Sequence, residues 1–420
     1  MRILILGLNY APEKVGIAVY TTGMAQSLAA MGHAVQVISG QPYYPAWTIE
    51  PGYAAYTYTR SEEHDVDVTR APHYIPARPT GARRMLHHFS FALAAFFPTL
   101  YRGITWRPDV VMTVAPSLVA SSIASLTAKL AGAPSWLHVQ DFEIEAAMAT
   151  GLLSGHSWVV KLAKWFERRT FSSFDMVSTI SPQMLSRLHQ KGVPRERSME
   201  LRNWADIDSV RPKTSPSPFR SEWNITTPHV ALYSGNIANK QGIEIVLAAA
   251  KILQSRDDLT FVICGDGPNR ATLEAAANGI SNIQFHGLQP KERLSDLLSL
   301  ATVHLLPQLA SAADLVLPSK LGNMLASGRP VVATARSETG LAQEVEGCGI
   351  VTPPGDAEAL AGAICQLIDN DARWRTAAEM ARARAEQKWA KASVLAALVK
   401  QLEVLRAGIA HPTEAEPETK

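Results

Sequence analysis

The chain has 420 residues, 47% hydrophobic and 19% charged, enough for two domains of ordinary size that each bury a core. Forty lysines and arginines against 38 aspartates and glutamates leave a net charge of +2, so the overall field gives no reason to expect nucleic acid as a partner. Three scattered cysteines, Cys264, Cys348 and Cys365, cannot make a disulfide framework or a structural zinc site and read as reduced core residues.

The N-terminal run Met1 to Gly7 is too short for a signal peptide and reads as a first strand. It enters a loop bounded by Gly7 and Gly16, then a helix from Ile17 to Met31, a stop at Gly32 and a second strand from Ala34 to Ile38. Strand, loop, helix and strand in that order are the unit of an open parallel sheet, which binds ligands at the carboxyl ends of its strands. The loop from Leu8 to Gly16 is therefore a predicted ligand wall. The nicotinamide fingerprint is missing, since Gly7-Leu8-Asn9 stands where a G-x-G would begin and no acid ends the second strand.

Residues 41–60 carry Tyr43, Tyr44, Trp47, Tyr53, Tyr56 and Tyr58, which suit either sugar and lipid contacts or the packing of a long loop. The apolar stretch up to Trp106 is interrupted by His87, His88, Pro98 and Arg102, short of the roughly 20 apolar residues of a membrane span. Arg83 to Trp106 reads as a helix that either lies on a membrane surface or covers the sheet. Strands follow at Asp109 to Thr113 and Trp136 to Val139, separated by a helix from Leu118 to Leu130. His138 and Asp141 then lie at a strand's carboxyl end, where such sheets place groups that touch substrate. Trp158 to Arg169 is a basic amphipathic helix, with a solvated face or contact with anionic lipid as the two readings.

After a strand from Asp175 to Ile180, the Pro- and Ser-rich end of LRNWADIDSVRPKTSPSPFR reads as a linker, with the domain boundary near 212. The expected division is 1–211, 212–395, and a helix end with a loose tail over 396–420. Past the boundary the pattern restarts with a strand Val230 to Ser234, a loop Gly235 to Gly242, a helix Ile243 to Leu253 and a strand Phe261 to Cys264 closed by Gly265-Asp266-Gly267-Pro268. Strands are expected at Asn282 to Phe285 and Val303 to Leu306. In DLVLPSKLGNMLASGRPVVAT, Pro318 and Ser319 start a helix, Gly328 stops it and Pro330 to Ala333 is a core strand. Such a helix start offers free amides to a phosphate, and Lys320 adds a charge. Asp356 caps a further helix, and Asp371 to Leu405 reads as one helical run.

Two open sheets of this kind resemble the GT-B architecture, an α/β fold of two Rossmann-like parallel-sheet domains facing across a cleft. In detail the chain resembles glycosyltransferase family four, within it the exopolysaccharide transferases of the colanic acid fucosyltransferase type. NYAPEKVGIAVYTTGMAQSLAAMGH, HVQDFEIEAAMATG, LRNWADID, SGNIANKQG, ICGDGP and LPSKLGNMLASGRPVVAT carry the resemblance in the family's order. It implies transfer of a hexose from a nucleotide-sugar donor, with GDP-fucose suggested by the relatives, to a lipid-linked oligosaccharide, with retention and without a metal. The enzyme would be cytoplasmic, and contact with the inner-membrane surface through Arg83–Trp106 or Trp158–Arg169 stays open.

By the same resemblance, Lys240, Lys320 and the Pro318-Ser319 helix start would stabilise the departing diphosphate, and Gly16 would let backbone approach it. His138 and Asp141 would hold sugar hydroxyls or orient the acceptor. Gly235, Asn236, Gly265, Asp266, Gly267, His286, Gly287, Leu288, Leu321 and Asn323 would line the nucleotide. The family's two glutamates, separated by seven intervening residues, are replaced here by Asn323 and a position near Leu315 beside Asp314, and its loop Arg and Lys by Asn236 and Gln241. An epimerase or hydrolase, and a sugar-binding scaffold, are the rival readings.

Overall fold

A computed structural model describes residues 1–14, 16–149, 157–238, 241–309 and 317–410. The chain forms two compact units, Met1–Leu201 with the chain from Leu395 onward, and Arg202–Val394.

In the first unit, β1 (Arg2–Gly7), β2 (Ala34–Gly40), β3 (Thr59–Glu63), β4 (Val66–Ala71), β5 (Val110–Ala115), β6 (Ser135–Val139), β7 (Met176–Thr179) and β8 (Ser198–Glu200) form one sheet in the order β3-β4-β2-β1-β5-β6-β7-β8. All neighbours are parallel except β3 and β4. The central strands read as unbroken apolar runs because both faces are covered, as in Ile3 to Leu6 and Val110 to Met112. The covering helices include α1 (Ile17–Ala30), α2 (Gly81–Trp106), α3 (Leu118–Ala131), α4 (Glu143–Ala149) and α5 (Ser157–Ser172).

The hairpin of β3 and β4 begins at the end of the tyrosine-rich stretch 41–60 and covers residues for which the sequence suggested no element. Its turn uses His64 and Asp65 at φ +52° and +63°, residues less common than glycine in that conformation. Its outer strand is polar, as an edge requires, while Val66 and Val68 alternate inward.

The second unit holds β9 (His229–Ser234), β10 (Leu259–Cys264), β11 (Ile283–His286), β12 (Val303–Leu306), β13 (Val331–Thr334) and β14 (Gly349–Thr352) in the all-parallel order β11-β10-β9-β12-β13-β14. The expected linker is part of this unit. Val210 is buried, Arg382 Nη1 donates to the carbonyls of Val210 and Ala326 at 3.0 and 2.9 Å, and Ala205 N donates to Trp389 O at 2.8 Å. The units accordingly divide at Leu201 and Arg202 instead of near 212. The run expected as one helix from Asp371 is broken after Arg384 by a wider turn, Ala385–Trp389, before a last helix, Lys391–Ala410. That helix does not stand apart as an end piece, because from Leu395 it belongs to the first unit.

Gly265 shows how tightly the strand exits of the second unit are pressed together. A Cβ there would stand 1.9 Å from Gly235 O, and one at Gly267 would stand 2.3 Å from Ile237 O. Gly265→Ala is therefore expected to destabilise the second unit by about 2–4 kcal/mol. Gly362→Ala, on a helix with nothing near the added carbon, should stabilise by about 0.5–1 kcal/mol. Urea unfolding of the two variants checks the contrast.

Four histidines of the first unit are depressed by burial, His73 and His88 to about 3 and His87 and His138 to about 4. Between about pH 4 and 6.5 the unfolded chain takes up protons that the folded rings refuse, so stability falls as pH drops through that window. Glu143, raised to about 7 by burial, acts in the opposite sense over about 4.5 to 7, and Glu13, Asp141 and Glu167, raised by burial as well, act with it. The expected result is that His88→Gln loses less stability than the parent, or gains more, between pH 6.5 and 4, as read from urea midpoints of the two proteins.

Candidate functional site

In the second unit the chain runs outward from β9 to β10 and β11, then returns to the other side of β9 with β12. The gap between β9 and β12 at their carboxyl ends is thus a topological switch point, the place where open α/β sheets take ligands. Lys320 is there. It opens the helix Lys320–Ala326, its Nζ donates to Ser234 O at 3.3 Å, and the same nitrogen lies 3.9 Å above the Tyr233 ring. Among the described residues no carboxylate pairs with it, and loss of water around the ammonium pulls its pKa down to about 7. Among the described residues this partly buried cation has a neutral oxygen and a ring face beside it, which leaves it capacity for an anion.

The surroundings fix that cation. Tyr233 is held by its hydroxyl, which donates to Asn236 O at 2.6 Å. A Cβ on Gly235 would come within 3.4 Å of Lys320 Nζ, so the missing side chain keeps the approach open. Gly265 N donates to His286 O at 3.0 Å, and Asp266 Oδ1 accepts from Gly267 N at 2.8 Å, so the exits of β9, β10 and β11 form one knitted rim. Gly287 and Leu288 continue the rim exposed to solvent, and His286 stacks on Trp223 with ring centroids 3.7 Å apart.

Several expected contacts stand differently. Leu321 is fully buried in the core and its amide donates to Pro318 O at 2.9 Å, so it presents nothing to a ligand. Ser319 begins the helix with Pro318 before it but makes no side-chain cap. Asn323 uses its side-chain oxygen to accept from Asp206 N at 3.1 Å, fastening the start of the unit. Lys240, Asp314 and Leu315 lie outside the described residues.

Arg270 went unnoticed in the sequence. Its Nη1 donates to the carbonyls of Gly265 and His286, the latter at 3.0 Å, and ties the rim together. The signal was present as an arginine one turn past the Gly-Asp-Gly-Pro corner.

In the first unit the corresponding switch point lies between β1 and β5. The loop after β1 ends at Gly16, exposed at φ +67° and starting α1. What folds that loop is Glu13, also unremarked in the sequence. Its Oε1 accepts from the amides of Tyr43 and Tyr44 at 2.9 Å each, and its Oε2 accepts from Asn9 at 2.9 Å. Burial raises its pKa against the pull of those donors.

His138 is buried, with Nδ1 2.8 Å from Ser178 Oγ and Nε2 3.0 Å from Gln140 Nε2. Gln140 can only donate there, so His138 is neutral with its proton on Nδ1, and both ring nitrogens are committed inside the sheet. That removes the free nitrogen a sugar contact would need. Asp141 sits at the surface next in line, its carboxyl raised by surrounding protein and partly lowered by Arg84. Glu143 caps α3 by accepting from the amides of Ser117 and Leu118.

The sequence contains three Asp-x-Asp triplets, at Asp65 to Asp67, Asp206 to Asp208 and Asp369 to Asp371. Asp67 pairs with Arg60 and Arg102, Asp206 accepts from Ser209, Asp369 pairs with Arg256 and Asp371 with Arg375. Among the described residues no group of three His, Cys, Asp or Glu is placed to hold a metal ion.

Residues 15–204 match a glycosyl transferase 4-like domain and residues 228–370 match glycosyl transferases group 1. The chain is 40% identical over 378 residues to the putative colanic acid biosynthesis glycosyl transferase WcaI of Escherichia coli K12, covering 88% of this chain and 92% of that protein. Sucrose-phosphate synthase from Thermosynechococcus elongatus superposes with a TM-score of 0.72 at 17% identity, over 97% of this chain and 99% of that one. Anabaena Alr3699/HepE, in a complex with UDP, superposes at 0.68 and 17% identity, over 96% and 100%. With the family's domains in order and a relative matched along nearly its whole length, the chain belongs to glycosyltransferase family four and has its GT-B fold.

Proposed function

We propose that this glycosyltransferase moves a hexose from a nucleotide-diphosphate sugar to a growing exopolysaccharide unit carried on a lipid, at the cytoplasmic side and with retention at the anomeric carbon. The observation that carries the reading is Lys320, an ammonium at the β9/β12 switch point that pairs with no carboxylate among the described residues. The work of such a transfer is to stabilise the leaving diphosphate, and preorganised charge and amides accomplish that without a strong base. Lys320 supplies the charge, in the proposed scheme together with Lys240 and without a metal. The helix start at Pro318-Ser319 supplies backbone donors, and the rim from Gly265 to Leu288 lies beside the base and ribose. The similarity to a colanic acid biosynthesis transferase of Escherichia coli supports the exopolysaccharide setting. A fucosyl group carried on GDP is the donor we favour.

One observation supports a second reading. The family's two glutamates are absent and the oxygen of Asn323 is occupied, as suits a scaffold that binds donor without turning it over.

A thermal-shift panel of UDP-, GDP- and ADP-sugars followed by turnover with a lipid-linked acceptor separates these readings. Glycosidic product supports transfer, sugar released or epimerised without acceptor supports the hydrolase or epimerase, and binding without turnover supports the scaffold.

Lys320→Ala is expected to weaken nucleoside diphosphate binding by about 10- to 100-fold without lowering the thermal midpoint, the usual worth of a charge-assisted bond. In the parent protein, binding above pH 7 requires Lys320 to take up a proton. Affinity should therefore fall as pH rises above about 7, by at most about tenfold per unit, and Lys320→Gln should flatten that dependence. Calorimetric titrations at a series of pH values read both effects. An unchanged affinity in Lys320→Ala removes the residue from the site.

A further inference from the structure

We propose that the outer face of α2, α3 and α5 is a docking surface for an anionic lipid bilayer. The proposal deepens the lipid-linked acceptor reading and rests on it for its purpose, while the surface itself is read from the first unit alone.

The helix α2 spans 26 residues. One side is buried on the sheet through His87, Phe91, Ala95 and Thr99. The other side carries Leu86, Phe89, Leu93, Phe97, Tyr101 and Ile104, each 52–71% exposed. Their spacings of three and four residues keep them on one stripe about 27 Å long at the rise of an α-helix. From Met85 to Ile104 no exposed residue of the helix is charged. An uncharged stripe of that length is what a soluble surface normally avoids.

The stripe does not stand alone. Crossovers from β4 to β5, β5 to β6 and β6 to β7 all step the same way along the sheet, so right-handed connection puts α2, α3 and α5 on one face. α3 packs against both of its neighbours. Its outward residues include Val119, Leu126 and Leu130, and those of α5 include Trp158, Leu162 and Trp165, with both tryptophans more than 60% exposed. Tryptophans on an amphipathic helix suit the headgroup boundary of a bilayer.

Charge decides the occupant. Exposed cations flank the apolar ground at Arg83, Lys129, Lys161, Lys164, Arg168 and Arg169. The only carboxylate on the three helices is Glu167, buried and paired with Lys191 at 2.6 Å. A self-complementary dimer would bring these cations against their own copies, whereas an anionic leaflet meets them with opposite charge. No helix among the described residues is long and apolar enough to cross a membrane, so the face lies on the bilayer and does not enter it as a span.

The test is flotation of the full chain with vesicles of phosphatidylcholine containing phosphatidylglycerol, against vesicles of phosphatidylcholine alone. We expect salt-sensitive binding to the mixed vesicles and binding at least about tenfold weaker to the neutral ones. Leu93→Glu with Phe97→Glu on α2, and separately Lys161→Gln with Lys164→Gln and Arg168→Gln on α5, should each lose about tenfold or more. The α5 variant keeps the test decisive if the α2 variant fails to fold. Thermal midpoints and nucleoside diphosphate binding, measured without lipid, should not change, so failure of the surface and failure of the donor site are read independently. Parent protein that floats with neither vesicle, or variants that float as the parent does, would overturn the proposal. So would a concentration-dependent dimer that the same substitutions dissolve while vesicle binding is absent.

Discussion

An ammonium drawn out of water with no carboxylate among the described residues to meet it is the constraint from which the second unit can be understood. Lys320 does not choose that position by its own bonding, since a carbonyl at 3.3 Å and a ring face at 3.9 Å are weak compensation for lost hydration. The core holds it there. Leu321, Met324 and Leu325 follow it into a fully buried cluster, and the chain before it is turned by Pro318. Apolar burial of the helix thus sets the place of the charge, and the bare backbone of Gly235 leaves the approach to it unobstructed. In the proposed transfer such a group would be preorganised, because the cost of desolvating it is met in folding and not when an anion arrives.

The first unit handles charge in the opposite way. Glu13 and Glu143 are both drawn away from water, yet each is surrounded by backbone amides that give its oxygens donors. Glu13 binds the loop after β1 to the loop after β2, and Glu143 binds the exit of β6 to the start of α3. These carboxylates shape the loops at the strand ends. The four neutral histidines serve the interior in the same spirit, as polar rings packed among aromatics or tied to hydroxyls, with Tyr43 and His87 centroids 4.6 Å apart.

Most strands of both sheets were legible because a parallel strand covered on both faces is an apolar run bounded by glycine or polar residues, as at Ile3 to Leu6 and Phe261 to Cys264. The hairpin at Thr59 to Ala71 was not, since an edge strand is polar and its turn lacked glycine. β8 and β14 were too short, at three and four residues, to show any period. The segment around Val210 read as a linker by composition, and only the distant donor Arg382 shows why its carbonyls are ordered. For the site, Lys320 and the Gly265 to Gly267 corner were readable from turn and helix-start chemistry. Arg270, Tyr233 and Glu13 act through contacts between separate strand exits, which no local pattern announces. The burial of His138 and the contacts of both its ring nitrogens were not legible, because a strand's last residues can face inward as readily as toward a ligand.

The return of the chain at Leu395 carries a consequence for how the protein comes into being. The last helix buries Leu398 and Leu402 within the first unit, so that unit is built from two stretches of chain on either side of the second unit. On the ribosome its sheet can assemble early, but it waits for the whole second unit to be translated before its final helix is available. The second unit emerges uninterrupted between those two pieces and can fold while its older companion is still incomplete.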